Sequence, residues 1–291
     1  MTESRADQLV NTFTKLGNTL LSHSTSHCSN TCLPNKAVVN SLIPVLIHLL
    51  FPRYYYEKVE TESSLKLAIP RTISKVYEVL SIEIQRSLEY IGKENGDLEA
   101  KAQEKTMAFL KELPSIRQIL DKDLEEVLNH DPAAVSKEEV LLAYPGFEAL
   151  AVYRLAHQLL KLDVPFIPRM LSENVHSRTG IDIHPGAQIG PYCSIDHGTG
   201  LIIGETTIIG EHVNLFHNVT LGARSVTPEF RGKKRHPTLG NNIIVYPGAT
   251  ILGDITVGDN SLIGGNVFLL ESCPPNSKLY AKPPEVILKS N

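Results

Sequence analysis

The sequence predicts an α+β chain: an N-terminal all-helical region over residues 1–178 and a C-terminal left-handed parallel β-helix over residues 179–291. Two observations carry this. The first is a six-residue beat of aliphatic residues at Ile183, Ile189, Ile195 and Leu201, then Ile209, Leu215 and Leu221. After an interruption it resumes at Leu239, Val245, Ile251, Val257, Ile263 and Leu269. Helices repeat their apolar positions about every 3.6 residues and half-buried strands about every two, so neither produces this spacing, whereas a hexapeptide repeat does. The second is that the chain before the beat reads as amphipathic helices punctuated by Pro and Gly.

Within the repeat, Gly often follows the aliphatic residue, as at Gly190, Gly210, Gly222, Gly240, Gly258 and Gly264. A small or β-branched residue stands four places on from it, as at Ala187, Cys193, Thr199, Val213 and Ala249. Three hexads close one triangular coil, with the aliphatic residue pointing inward onto its equivalents above and below. The glycine allows the backbone angles and close approach of a sharp corner. Cys193 therefore reads as core, not as a nucleophile. The segment ARSVTPEFRGKKRHPT, between Leu221 and Leu239, is polar and basic and cannot line a core. It is expected to leave the coil over 223–237, either as a solvated loop or, the favoured reading, as a flap over a ligand on a rigid scaffold.

Upstream, apolar periodicity marks helices at 5–21, 36–51, 71–92, 97–121 and 146–162, separated by Pro52, Gly96, Pro114 and Pro145. Val76, Val79, Leu80, Ile84 and Leu88 share one helical face, and the Asp97–Lys111 stretch presents a charged one. Pro145-Gly146 reads as a turn, and Pro165 and Pro168 mark the approach to a boundary near 170–182.

Several classes of function are disfavoured. A net charge of −4 supplies no basic face for nucleic acid. The longest apolar run, Ala37 to Phe51, contains Pro44 and His48 and reads as a buried helix, so no membrane contact is expected. The start MTESRADQLV has the layout of neither a secretory leader nor a transit peptide, and the expected location is cytoplasmic. The four cysteines are expected as reduced thiols. His23, His27, Cys28 and Cys32 match no standard zinc spacing, and no metal is expected.

Chemistry concentrates in the first coils. Asp182 and His184 in IDIHPG, and the pair Asp196-His197, would disrupt a prism core, so they are expected to line an external groove. Asp182 and His197 stand slightly less than one coil apart, on adjacent rungs of nearly the same face. An imidazole held by a carboxylate at one nitrogen can accept a proton at the other. The alternative is a set of solvated corner residues.

The segments DIHPGAQIG, DHGTGLIIGET, NVTLGA and RHPTLGNNI occur in that order, with HDPA and YPGFEALAVYRLAHQL upstream. Together they resemble the serine O-acetyltransferases, hexapeptide-repeat enzymes that make O-acetylserine for cysteine biosynthesis. The resemblance covers about residues 125–285, and residues 1–120 look like the extended helical N-terminus of one branch of the family. It implies acetyl-CoA as co-substrate, L-serine as acceptor, L-cysteine as feedback inhibitor, and a homotrimer or dimer of trimers. It also implies His197 as general base and Asp182 as the residue orienting it. Asp131 and Asp196 would hold the serine ammonium, Arg235 and His236 its carboxylate, and Glu205 would be a local partner in the same pocket. A zwitterion needs anions at one end and cations at the other, and these residues supply both. The implied reaction is direct transfer, with backbone amides of the coil meeting the oxyanion.

Some positions depart from the family pattern. Ala223 replaces the second glycine of TLGG, and Val286 stands where a basic residue is typical. Lys233 and Lys234 then become candidate partners of the CoA phosphates, with Gly222, Ala223 and Gly248 also on the coenzyme side. The chain ends Lys289-Ser290-Asn291 where many relatives present a terminal Ile to the sulfhydrylase that uses their product, which argues against that complex. Three other readings compete. One is a hexapeptide acyltransferase with a sugar or amine acceptor, against which the helical region carrying Asp131 argues. Another is a γ-type carbonic anhydrase, prompted by His212 and His217 but lacking a third histidine at the required distance. The last is a non-enzymatic scaffold, which would leave Asp182 and His197 idle.

Overall fold

The structure, a computed structural model, describes residues 11–16, 18–19, 33–54, 61–92, 96–225, 227, 229 and 232–282. His23, His27, Cys28, Cys32, Val286 and Lys289-Ser290-Asn291 lie outside them. The chain divides into a short unit, Met1–Leu33, helical over 11–16, and a larger unit, Pro34–Asn291.

Among the described residues, six helices open the larger unit: α1 (Lys36–Leu50), α2 (Glu62–Ile91), α3 (Leu98–His130), α4 (Lys137–Ala143), α5 (Pro145–Lys161) and α6 (Ile167–Thr179). Side-chain caps start several of them. Asn35 accepts from the N–H groups of Ala37 and Val38 at α1, and Asp97 from that of Ala100 at α3. Helices α2 and α3 run further than the periodicity indicates, with Pro70 and Pro114 inside them. Pro114 was expected to separate helices. Buried Phe109, Leu113, Ile116 and Leu120 surround it, and this packing outweighs the missing hydrogen bond. Pro145-Gly146 is likewise no turn. Pro145 opens α5, where its lack of an N–H costs nothing. A Cβ on Gly146 would lie 2.1 Å from the Ile195 carbonyl oxygen, so α5 rests directly on the coil. Helix α6 occupies the segment read as a boundary and ends at Gly180, in the left-handed region at φ 72°.

From β1 (Asp182–Ile183) the chain climbs as a parallel β-helix, the architecture the repeat predicts. Its first face stacks β1 with β4 (Ile202–Ile203), β7 (Thr220–Gly222), β10 (Thr250–Leu252) and β13 (Phe268–Leu269). The second holds β2 (Gln188–Ile189), β5 (Ile208–Ile209), β8 (Thr238–Leu239) and β11 (Thr256–Val257). The third holds β3 (Cys193–Asp196), β6 (Val213–Phe216), β9 (Ile243–Val245), β12 (Leu262–Ile263) and β14 (Lys278–Leu279).

The register corrects the beat at one point. Ile183 pairs with Ile203, and Ile203 with Leu221, so Ile203 and not Leu201 stands in the inward column. Leu201 is buried in the column of Val219 and Ala249, and Thr199, expected there, is exposed. The turn from Asp182 to Ile202 is two residues longer than that from Ile202 to Thr220. The surplus falls at the corner that follows Asp196, where His197, Gly198 and Gly200 adopt φ of 56°, 80° and 79°. Between Gly222 and Thr238 the chain leaves the coil, because Ile208 pairs across to Thr238.

The repeat glycines serve close approach and not unusual angles. A Cβ on Gly210 would lie 2.6 Å from the Gly240 carbonyl oxygen, and neither glycine has positive φ. The left-handed corner positions go mainly to asparagines such as Asn242 and Asn260, whose side chains join at 3.1 Å.

Helices and coil share one core, fastened by a buried ion pair. Arg154 of α5 donates to Asp123 of α3 at 2.6 and 2.8 Å, and to the carbonyls of Ile189 at 3.2 Å and Gly190 at 2.9 Å. Asp123 also accepts the Cys193 N–H at 3.0 Å. Beside it the Tyr153 hydroxyl donates to the Ala187 carbonyl at 2.5 Å and accepts from the Ile189 N–H at 3.2 Å. Replacing Arg154 by Ala leaves a buried carboxylate uncompensated and is expected to cost about 3–5 kcal/mol of stability. Chemical denaturation would read this as a lowered midpoint, with the double variant Asp123→Leu/Arg154→Met recovering much of it. A single variant with an unchanged midpoint would refute the fastening role.

Candidate active site

The polar residues gather at two opposite edges of the first face. The edge between β3 and β4 carries Asp196 and His197. The edge between β4 and β5, where the extruded segment rejoins, carries Glu205, Arg235 and His236.

At the first edge, Asp131 terminates α3. Its Oδ1 accepts the Ala133 N–H and its Oδ2 the Tyr144 hydroxyl, each at 2.8 Å. Asp131, Tyr144 and Asp196 line a cavity of ≈ 110 Å³ with His130, Ser194 and Asn214, closed by apolar Ile195, Phe216 and Tyr246. The bond to Asp131, then burial and the charges of Asp131, Glu139 and Asp196, push the Tyr144 hydroxyl up to about 12. It therefore stays a neutral donor and leaves the anionic character of the cavity intact. Beneath lies buried Glu126, which accepts from Asn214 Nδ2 at 3.0 Å and His212 Nδ1 at 2.9 Å, with His130 Nδ1 at 3.2 Å.

His197 is exposed. Its Nε2 lies 3.7 Å from Asp196 Oδ1, and its ring meets His217 edge-on at 5.6 Å. Among the described residues no ion pair joins it to Asp182. That carboxylate sits instead with Glu173 and His176 of α6, with ligand-capable atoms within 4.8 Å of one another. His212 and His217 flank β6 at opposite ends, and His212 turns to Glu126 and stacks on Tyr192, so the two share no site. Cys193 is buried, and its thiol is pushed up by burial first and then by Asp123.

At the second edge, His236 is buried. Its Nδ1 accepts the Thr206 N–H at 3.1 Å and faces the Thr206 hydroxyl at 2.9 Å. That hydroxyl oxygen already accepts the N–H groups of Arg235 at 2.9 Å and His236 at 3.1 Å, so its hydrogen points to Nδ1. This network assigns the proton of His236 to Nε2. Burial, then the Arg235 charge, bring its pKa down to about 4 against the opposing pull of Glu205. His236 is a neutral imidazole offering a single N–H. Its ring fills the space over Gly204, where a Cβ would lie 2.0 Å from Cδ2.

Arg235 pairs with Glu205. Burial raises the Glu205 carboxyl, but the Arg235 bond and the charges of His184, Arg235 and His236 outweigh it and hold it below the usual range. His184 is pushed down by burial and Arg169, against Glu205 and Asp182, and its Nδ1 accepts the Gly186 N–H at 3.0 Å. Lys234 bonds the His236 carbonyl and lies 3.8 Å from Asp254, whereas Lys233 is exposed. Gly222 ends β7 beside Ala223, and Gly248, at φ 75°, occupies the corner between β9 and β10.

A family model described as Serine acetyltransferase, N-terminal, matches residues 51–152, and one described as Bacterial transferase hexapeptide (six repeats) matches 236–270. A serine acetyltransferase of Synechococcus elongatus is 40% identical over 257 residues, covering 84% of this chain and 81% of the relative. The chain belongs to the serine acetyltransferase family. A serine acetyltransferase of Helicobacter pylori is 51% identical over 170 residues, covering 58% of this chain and 97% of its own. Serine acetyltransferase isoform 3 of Entamoeba histolytica, solved in complex with cysteine, superposes with a TM-score of 0.75 at 30% identity, covering 95% of this chain and 93% of that one. The family match at 51–152 reaches well upstream of the motifs that carried the resemblance. Family membership makes the chain an acyltransferase enzyme and displaces the carbonic anhydrase and scaffold readings.

Tyr144, Glu126, Thr206 and Asn214 went unassigned in the sequence. Tyr144 opens the quoted YPGFEAL segment, and its proximity to Asp131 was the available signal. The state of His236 makes a prediction. The folded chain holds it at about 4 against an ordinary 6.5, so its contribution is complete above pH 6.5. As pH falls the unfolded chain takes up the proton first, and that contribution is lost between 6.5 and about 4. The stability gap between the parent and His236→Gln should therefore shrink from pH 7 to pH 5. A constant gap would show that His236 titrates normally.

Proposed function

We propose that the chain catalyses acetyl transfer from acetyl-CoA to the hydroxyl of L-serine in a site shared between neighbouring copies. The observation that carries this is the division of the charges. Asp131, Asp196 and His197 stand at one edge of the first face, and Arg235 and His236 at the other. The side of the coil from Leu201 to Gly204, three steps of about 3.3 Å each, separates the edges by roughly 10 Å, too far for one small zwitterion to bridge within a chain. A threefold axis brings the cationic edge of one copy to the anionic edge of the next, as a trimer or a dimer of trimers does.

In that site Asp131 and Asp196 hold the serine ammonium. Arg235, steadied by Glu205, and the Nε2–H of His236 meet its carboxylate. His197 takes the hydroxyl proton as the oxygen attacks the thioester carbonyl, with Asp182 turning to orient the imidazole. Backbone N–H groups meet the oxyanion, and the imidazolium returns the proton to the departing CoA thiolate. Gly222, Ala223, Lys233, Lys234 and Gly248 form the coenzyme side. Residues 1–178 thus contribute Asp131, and residues 179–291 the remainder. L-Cysteine, differing from serine by sulfur for oxygen, occupies the same charges and competes with it. The cysteine complex of the Entamoeba relative supports this reading.

His197→Ala should lower turnover by about 10²–10⁴-fold. Arg235→Ala should also be severely impaired. Mixed oligomers of the two variants should regain activity, because the intact cationic edge of one meets the intact anionic edge of the other. Mixtures no more active than their components would show that each site lies within one chain. Asp131→Ala should weaken serine and cysteine binding together, by about 1.5–3 kcal/mol, the scale of a hydrogen bond to a charged group. A variant that lost serine affinity but kept full cysteine affinity would place the inhibitor elsewhere.

A further inference from the structure

Glu173-Asn174-Val175-His176 lies on α6 and sets a carboxylate and an imidazole at i, i+3 on one helical face. Helical metal proteins use this Glu-x-x-His spacing. His176 Nδ1 and Glu173 Oε2 are 3.3 Å apart. Two ligand atoms at about 2.0–2.2 Å from a tetrahedral zinc ion stand roughly 3.3–3.6 Å from each other. Asp182 completes the group, with all three ligand atoms within 4.8 Å, so closing it takes a small carboxylate rotation.

The surroundings hold this group ready. Arg169 pairs with Glu173 Oε1, which fixes the carboxylate and leaves Oε2 turned to His176. An outer hydrogen bond of this kind orients the ligands of metal sites. Buried Leu171 and Val175 anchor the helix, and Asp182 is tied to the coil through its N–H to the Leu201 carbonyl at 2.9 Å. All three side chains are half-buried, and three protein ligands leave a fourth position for water.

We propose that Glu173, His176 and Asp182 bind one divalent transition-metal ion of the zinc type, and that the bound ion inhibits the enzyme by holding Asp182 away from His197. The inhibitory half rests on the role of Asp182 given above. The binding half does not. The ion acts here as an inhibitor and not as a cofactor. Because the orienting carboxylate is captured while the base remains, inhibition falls on kcat and leaves the KM for serine nearly unchanged.

The test titrates chelator-treated full-length protein with Zn²⁺ by calorimetry, and with Co²⁺ by visible absorption, without substrates. One ion per chain with a tetrahedral Co²⁺ spectrum is expected. Affinity should fall at least about tenfold in both His176→Ala and the conservative Glu173→Gln, neither of which touches substrate. In the turnover assay, followed by loss of the thioester, Zn²⁺ should lower kcat of the parent reversibly to chelator and leave His176→Ala unaffected. Binding that survives both variants, or no binding in the parent, overturns the site. Binding without any change in turnover overturns the inhibition. Because binding is read without serine or acetyl-CoA, an error in the proposed reaction would leave the binding result standing.

Discussion

Asp123 and Arg154 meet where α3 and α5 lie against the first coil, and the geometry of the anionic edge follows from that contact. Burial pushes the Asp123 carboxyl up, while the charge and bonds of Arg154 and the Cys193 N–H draw it back. Burial disfavours the Arg154 cation, and the Asp123 charge outweighs it. Among the described residues each is the other's ion-pair partner, so the pair must form for the helices to settle. Further along α3 comes Asp131, and from Cys193 the strand β3 runs to Asp196. One ion pair therefore sets the separation of two carboxylates that belong to regions far apart in sequence.

The face between the two edges explains why charges of both signs persist without cancelling. Arg235 is occupied by Glu205, and Asp131 by the neutral phenol of Tyr144, so each edge is internally satisfied. His236 completes the arrangement as an uncharged donor. A chain built this way folds without bringing the charges of the two edges together. Asp182 stands at the junction of α6 and β1, within reach of chemistry from either side.

Much of this was legible in the residues, and the exceptions have physical causes. The aliphatic beat announced the coil because inward positions admit little else. It misplaced one rung because Leu201 and Ile203 are both aliphatic and both buried, which periodicity cannot separate. Gly204, following Ile203 as the repeat requires, was the signal for the correct phase. Pro114 was read as a break because local propensity carries no account of the packing around it, whereas Pro145 does separate α4 from α5, as the first residue of the second helix and not as a turn. The charged residues were visible from their motifs, and the register of the coils fixes which corner each one turns. Glu126 was hidden for a different reason: its partner Asn214 is brought to it only by the docking of α3 on the third face of the coil. Helix α6, with its Glu-x-x-His pair, was obscured by prolines that prove to lie at its start.

The longer turn at Asp196–Gly200 behaves like a landing in a three-flight staircase. Two extra residues there leave every tread above aligned with the one below, since Ile203 stacks on Ile183 as squarely as Leu221 on Ile203. The much longer departure before Thr238 obeys the same rule, returning the chain to its column at Leu239. Treads tolerate no change of length, because one added residue would turn every aliphatic outward. Landings tolerate almost any. New chemistry can therefore be added to such a prism at its corners without disturbing the flights, and His197 and Arg235 both stand on landings.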